Sequence, residues 1–266
     1  YLIFSLLIFV SCSKNNIENS AIKEKSLELQ VLEAYDIGKD ALEGGDVLFA
    51  AKKFNEVETL FPQSDWAPKA ALMAAYSYYT QDYYGDSIAE LKRFVKVYPF
   101  HKDLSYAHYL MGVCYFEQIV DEKKDLQSIR NAKIKFNFIL KEYPNTEYAL
   151  DAEFKISLID DILASKEMYI GRYYFEKKKW ISAINRFRTV IDEYDTTIYT
   201  AEALHRLVEV HYTIGLIDEA EKYAQLLGYN YGSSEWYQNT YSLFNKNYKI
   251  RKKNRLQDIK KKNKKR

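Results

Sequence analysis

The sequence predicts an all-α chain folded as an α-solenoid of about five helical hairpins. Three observations point there. Apolar residues recur every three to four positions through most of the chain, the period of an amphipathic helix. Only 9 glycines and 4 prolines occur in 266 residues, too few for the many tight turns of an all-β fold. Small residues also return at a fixed interval, since Gly38, Ala75 and Gly112 are each 37 residues apart. A period of that size is the mark of stacked supersecondary units. A single hairpin cannot cover its own apolar face, so such units are stabilised by their neighbours.

The unit is clearest in Ala70–Pro99, AALMAAYSYYTQDYYGDSIAELKRFVKVYP. Its first helix carries Ala71, Ala74 and Ala75, small enough for a neighbouring helix to approach closely, then Tyr78. The second places Ile88, Leu91, Phe94, Val95 and Tyr98 on one face, and Pro99 ends it by removing a backbone donor. Ser87-Ile88-Ala89-Glu90 reads as a capping box opening that helix. The order small residue, Tyr, small residue, large apolar, Pro resembles the tetratricopeptide repeat (TPR), whose standard period of about 34 is lengthened here at each junction.

The first repeat offers Gly38 and Ala41, a turn at Gly44-Gly45-Asp46, then Ala50, Phe54, Val57 and Pro62. The third has Gly112 and Tyr115, then Ala132, Phe136, Ile139 and Pro144 after a charged insertion, Asp121–Arg130. From Thr146 to Phe175 only Gly171 could interrupt a helix, so the connection into the fourth repeat is read as one long helix. Gly171, Tyr174, Ala183, Phe187 and Val190 mark that repeat, with Asp195 in the proline position. Leu204, Val208, Ala220, Ala224 and Leu227 mark a weaker fifth, and Ser234–Tyr248 is the expected cap.

The ends are of another character. Tyr1–Val10 is an apolar run too short to span a bilayer, which needs about 20 residues, but of the length of a secretory h-region. Val10-Ser11-Cys12 after it resembles a bacterial lipobox, with Phe9 in place of the usual leucine. Residues 1–11 are therefore expected to be a cleaved signal peptide and Cys12 the lipidated residue, followed by a polar tether over 12–28. Cys114, in an apolar helix, is expected to be a small core residue. Lys246–Arg266 holds 12 Lys/Arg against Asp258 alone, about +11 in a chain of net charge +2. A run of this kind repels itself and is read as a basic tail beyond the folded part, over 249–266.

In a TPR hairpin the first helix lines the concave face. That places Leu32, Tyr35, Lys39 and Leu42, then Lys69, Leu72, Tyr76 and Tyr79, then Tyr106, Tyr109, Val113 and Phe116 along one groove. An aromatic groove with two lysines at one end suits an extended peptide ending in an aromatic residue and a carboxylate. No catalytic constellation is visible. His101, His108, His205 and His211 form no metal-binding spacing, and no Walker loop or GxGxxG occurs. Asp160-Asp161 reads as a solvated helix face. No cofactor is expected.

Several phrases in fixed order resemble the BamD (ComL/YfiO) family of outer-membrane lipoproteins. They are AYSYY at Ala75–Tyr79, LKRFVKVYP at Leu91–Pro99, SYAHYLMG at Ser105–Gly112, KEYPNTEYALDA at Lys141–Ala152 and RYYFEKKKWISAINRF at Arg172–Phe187. The resemblance runs from about Tyr35 to Leu227 and implies a non-enzymatic scaffold on the periplasmic side of the outer membrane. It implies repeats 1–3 (29–144) as the site for unfolded outer-membrane β-barrel substrates. It implies repeats 4–5 and the cap (145–248) as the part that holds the POTRA domain of BamA, with other Bam lipoproteins as further partners. On this chain the BamA-binding region maps to Arg186, Arg188, His211, Tyr212 and Glu219, expected near exposed turns. The alternative reading is a TPR lipoprotein scaffold for another cell-envelope complex. Nucleic-acid binding through the tail is disfavoured by the signal segment, and a glycan enzyme by the lack of a paired acid in a cleft.

Overall fold

In the computed structural model, residues 26–118 and 126–245 are described. The signal segment, Cys12, most of the tether, residues 119–125 of the third-repeat region and the basic tail from Lys246 onward lie outside them. The described residues form eleven α-helices and no strand. They pair as α1 (Leu27–Glu43) with α2 (Val47–Leu60), α3 (Trp66–Tyr79) with α4 (Tyr84–Val97) and α5 (Leu104–Glu117) with α6 (Gln127–Glu142). The series continues with α7 (Glu147–Glu176) and α8 (Trp180–Glu193), then α9 (Thr200–Thr213) and α10 (Ile217–Tyr231). A short α11 (Glu235–Phe244) packs on α9 and α10 as the cap. Five hairpins stack in chain order, each second helix against the first helix of the next.

The core repeats with the sequence. Phe54, Phe94, Phe136 and Phe187 are all fully buried, one on each second helix of the first four hairpins. Three of them face a glycine on the first helix of the same hairpin, Gly38 for Phe54, Gly112 for Phe136 and Gly171 for Phe187. A Cβ built on any of those glycines falls within 2.5–2.9 Å of the ring, so the helix pair closes only because no side chain is there.

Turn chemistry repeats too. The four described short turns end their first helices with the same 6→1 backbone bond: Asp46 N–H to Ala41 O, Tyr83 to Tyr78, Lys179 to Tyr174 and Leu216 to His211, at 2.9–3.0 Å. This is the Schellman closure, which needs one residue in the left-handed region. Gly45 (φ 82°) and Gly215 (φ 86°) supply it without strain, whereas Asp82 (φ 63°) and Lys178 (φ 56°) do so against their Cβ. The junctions between hairpins share a second device. Phe61, Tyr98 and Tyr143, each before a proline, leave the helix at φ near −119° to −137°, as proline requires of its predecessor. Tyr194 does the same before Asp195. Ser64, Thr146 and Thr197 then donate Oγ–H to the carbonyl of Phe61, Tyr143 and Tyr194 at 2.8 Å.

Some local expectations change. Ser87 is not a helix cap: α4 begins at Tyr84 after Asp82 and Tyr83, so Ser87 lies a turn inside, fully buried, where its Oγ accepts from the Cys114 thiol at 3.4 Å. The capping-box pattern fits a helix entry, but here the small side chain is used for close packing. Burial pushes that thiol up to about 11, an inert core cysteine. Gln127–Arg130, read as part of the insertion, is the first turn of α6. Asp160 and Asp161 are not merely solvated: Asp160 pairs with Lys133 of α6, and Asp161 accepts from the Ile198 N–H at 3.3 Å. The long helix runs unbroken over the 30 residues of α7.

Candidate functional site: a tyrosine wall on the first helices

The first helices of hairpins two, three and four bring their tyrosines onto one surface. Tyr76 and Tyr79 from α3 sit 6.1 Å apart, ring centre to ring centre. Tyr106 and Tyr109 from α5 both meet Tyr148 from α7, at 5.8 Å and 5.0 Å, the latter pair stacked. Tyr76 and Tyr79 lie near enough to Tyr106 to bear on its hydroxyl, which joins the α3 pair to the α5 pair.

Tyr109 donates to Asp151 Oδ2 at 2.7 Å, and Asp151 in turn pairs with Lys155 at 3.7 Å. Lys155 lies over the Phe116 ring at 4.9 Å, a cation on an aromatic face. Burial, then the hydrogen bond to Asp151, holds the Tyr109 hydroxyl well above its ordinary value. Burial does the same at Tyr106, reinforced by Tyr76, Tyr148 and Tyr79. These phenols stay neutral and can donate or accept at any physiological pH. Tyr76 is the most open of the group at 36%. The arrangement is an amphipathic surface of neutral hydroxyls over aromatic rings, with one acid and one base at its edge.

The expected groove residues divide four ways. Tyr76, Tyr79, Tyr106, Tyr109 and Phe116 belong to this wall. Leu72 and Val113 are buried in the hydrophobic clusters behind it and pack hairpin on hairpin. Tyr35 is wedged between Phe54 and Trp66 at 5.2 and 5.0 Å, which makes it a joint between hairpins one and two. Lys39 and Lys69 are exposed, and Lys69 rests over the Trp66 ring at 4.9 Å. Tyr148, Asp151 and Lys155 were missed. They belong to the first turns of the long helix, Tyr148 and Asp151 inside the KEYPNTEYALDA phrase and Lys155 just after it, and only the stacking of α7 on α5 shows that they continue the α5 surface.

The expected BamA-binding residues are more scattered than the sequence indicated. Arg188 and Tyr212 are exposed, the latter edge-on to Phe244 at 5.3 Å. Glu219 pairs with Lys222 at 2.6 Å. Arg186 lies mid-helix on α8, where it binds Glu167 of α7 at 2.9 Å. His211 is not at an exposed turn. It is buried, with Nδ1 2.7 Å from the Leu207 carbonyl and its ring against Tyr223, because its side chain points into the α9–α10 seam. Among the described residues, no group of three or more His, Cys, Asp or Glu could hold a metal ion, and no helix is long and apolar enough to cross a membrane.

A family model described as YfiO, outer membrane lipoprotein, matches residues 28–226. An outer membrane protein assembly factor BamD from Caulobacter vibrioides is 41% identical over 225 residues, covering 85% of this chain and 72% of that protein. The BamD of Rickettsia prowazekii is 43% identical over 199 residues, covering 75% and 79% of the two chains. The BamD of Neisseria meningitidis, serogroup A, is 29% identical over 210 residues, covering 75% and 79%. The family match runs from the first hairpin into the fifth, and the chain belongs to the YfiO family of outer membrane lipoproteins.

Proposed function

We propose that this chain is a non-enzymatic scaffold in outer-membrane protein assembly. Its tyrosine wall holds the C-terminal strand of an unfolded β-barrel protein, and its last two hairpins hold BamA through a POTRA domain. Family membership and the BamD names of its relatives support the coarse role. The observation that carries the finer one is the wall itself. Tyr76, Tyr79, Tyr106, Tyr109 and Tyr148 offer an extended strand both apolar rings and hydroxyls that can bond a backbone, while Lys155 offers a cation. An extended peptide needs both kinds of contact, because its unpaired backbone groups must be satisfied as its side chains are buried.

In this reading Cys12 carries acyl chains that tie the protein to the outer membrane with the hairpins in the periplasm. Arg188, Tyr212 and the Glu219–Lys222 pair are the exposed groups of the fourth and fifth hairpins available to BamA, and other Bam lipoproteins complete the complex. Peptide binding by wild type and by Tyr76→Ala combined with Tyr109→Phe tests the wall. The ring and stacking of Tyr109 survive in phenylalanine, so the fold is kept while the hydroxyl and the open ring are lost. Affinity for a peptide ending in a barrel's last strand should fall by about 1–3 kcal/mol. Unchanged affinity in a folded variant sinks the wall assignment. Purification from membranes without BamA, but with a different envelope complex, would favour the alternative of a TPR lipoprotein scaffold serving another machine.

A further inference from the structure

Among the described residues, several cations at the junctions between helices are neutralised by a carboxylate of a neighbouring helix. Arg93 on α4 forks onto Glu58 of α2 at 2.6 and 2.7 Å and also meets Glu90. Lys133 of α6 pairs with Asp160 of α7, Arg186 of α8 with Glu167 of α7, and Arg172 of α7 with Glu202 of α9. The junction of α4, α5 and α6 breaks the pattern. Lys135 on α6 is half-buried, and among the described residues its one polar partner is His108 Nδ1 on α5 at 3.5 Å. Lys92 on α4 is near enough to bear on the Lys135 charge, with its own Nζ 5.9 Å from the centre of the Tyr115 ring. Among the described residues neither ammonium has a carboxylate partner. The cations bear on one another: burial first and then Lys92 hold Lys135 below its usual value, and burial followed by Lys135 pushes His108 down to about 4.

The flank beside these cations is apolar and open. His108 packs on Phe138 with ring centres 4.4 Å apart, and Phe138 is still 37% exposed. Ile134, one turn back on α6, is 62% exposed. Half-burying an ammonium against another cation is unfavourable unless something of opposite charge completes the site. Free phosphate would answer the charge but leave the two apolar side chains uncovered.

We propose that the α4–α5–α6 junction docks an acidic peptide segment of a partner protein, with a carboxylate between Lys92 and Lys135 and a neighbouring apolar side chain on Ile134 and Phe138. This surface is separate from the tyrosine wall. On α5, Tyr106 and Tyr109 face the wall, while His108, between them in sequence, meets α6. Charge complementarity sets the recognition and the apolar pair adds affinity.

The test uses the full chain and a peptide blocked at both ends in which glutamate alternates with leucine, so that neither a free carboxyl terminus nor an aromatic end can engage the wall. At low ionic strength the peptide should bind and move the His108 ring resonances. Replacing its glutamates by glutamine, or the protein's cations by Lys92→Met with Lys135→Met, should weaken binding about tenfold or more. Tyr76→Ala should bind like wild type. If the double variant does not fold, Lys92→Met alone carries the test, since that side chain is exposed. Equal affinity for the glutamine peptide, no effect of the lysine variants or equal loss in Tyr76→Ala would overturn the proposal. So would capture by anionic lipid vesicles through these lysines with no peptide binding.

Discussion

Phe187 Cε1 occupies the space that a Cβ on Gly171 would need, 2.5 Å from the built position. The pair joins the last turns of α7 to α8 in the fourth hairpin. In a helix, Gly→Ala ordinarily gains up to about 1 kcal/mol. Here the overpacking of a rigid ring should reverse the sign. Gly171→Ala is expected to lose about 1–3 kcal/mol in urea unfolding. The second hairpin shows the remedy, with Ala75 and Leu91 at the corresponding positions, both fully buried. Gly171→Ala with Phe187→Leu should therefore recover most of the loss, and a double variant as unstable as the single one would disprove the pairing.

Lys178 holds a left-handed turn conformation that Gly45 and Gly215 adopt at the equivalent place. Lys178→Gly should raise stability by about 0.5–1 kcal/mol, the relief of Cβ strain less the entropy of a freer unfolded chain. Thermal unfolding measures it. Asp82 is the poorer choice for the same substitution, since its carboxylate accepts from Tyr84 Oη at 2.7 Å and would be lost with the strain.

His108 should make the fold acid-sensitive. Burial, then the nearby Lys135 charge, holds its folded pKa at about 4, below the unfolded value near 6.5. The unfolded chain therefore binds the proton more readily. The stability tied to a neutral His108 is complete above about pH 6.5 and is lost as pH falls toward 4. Lys135 on α6 is the charged group that faces it. His108→Phe should flatten the stability profile over that window relative to wild type. Identical profiles would mean that the imidazole is not held neutral.

Cys12→Ala should move the protein from the membrane to the soluble fraction. Each buried CH₂ contributes about 0.8 kcal/mol, so two or three acyl chains hold where one does not. A mature N-terminus elsewhere, or an unmodified Cys12, would refute the anchor.

Deleting Arg251–Arg266 removes most of the chain's basic tail. Association with anionic surfaces should weaken at low salt and match the full chain near 0.5 M salt, where screening is short-ranged. Equal association at every ionic strength would leave the tail without that role.

The amino-acid sequence by itself determined the repeating unit: amphipathic helices, their proline-punctuated ends and the 37-residue return of small residues all follow from local periodicity and backbone chemistry. The long α7 was legible for the same reason, because nothing between Thr146 and Phe175 but Gly171 could interrupt it. Ser87 shows the limit. Its local pattern fits a cap, and only the approach of α5 decides that it is a buried contact for Cys114. Tyr35 and Tyr109 are alike in the repeat pattern, yet one is wedged against Trp66 and the other bonds Asp151. Nothing in the local sequence sets Lys92 and Lys135 apart; only the meeting of α4, α5 and α6 brings them near each other with no carboxylate partner among the described residues. What a helix turns toward its neighbour is written in its own period. What it finds there depends on how successive hairpins stack, and residues 27 to 42 positions apart in sequence become partners only through that packing.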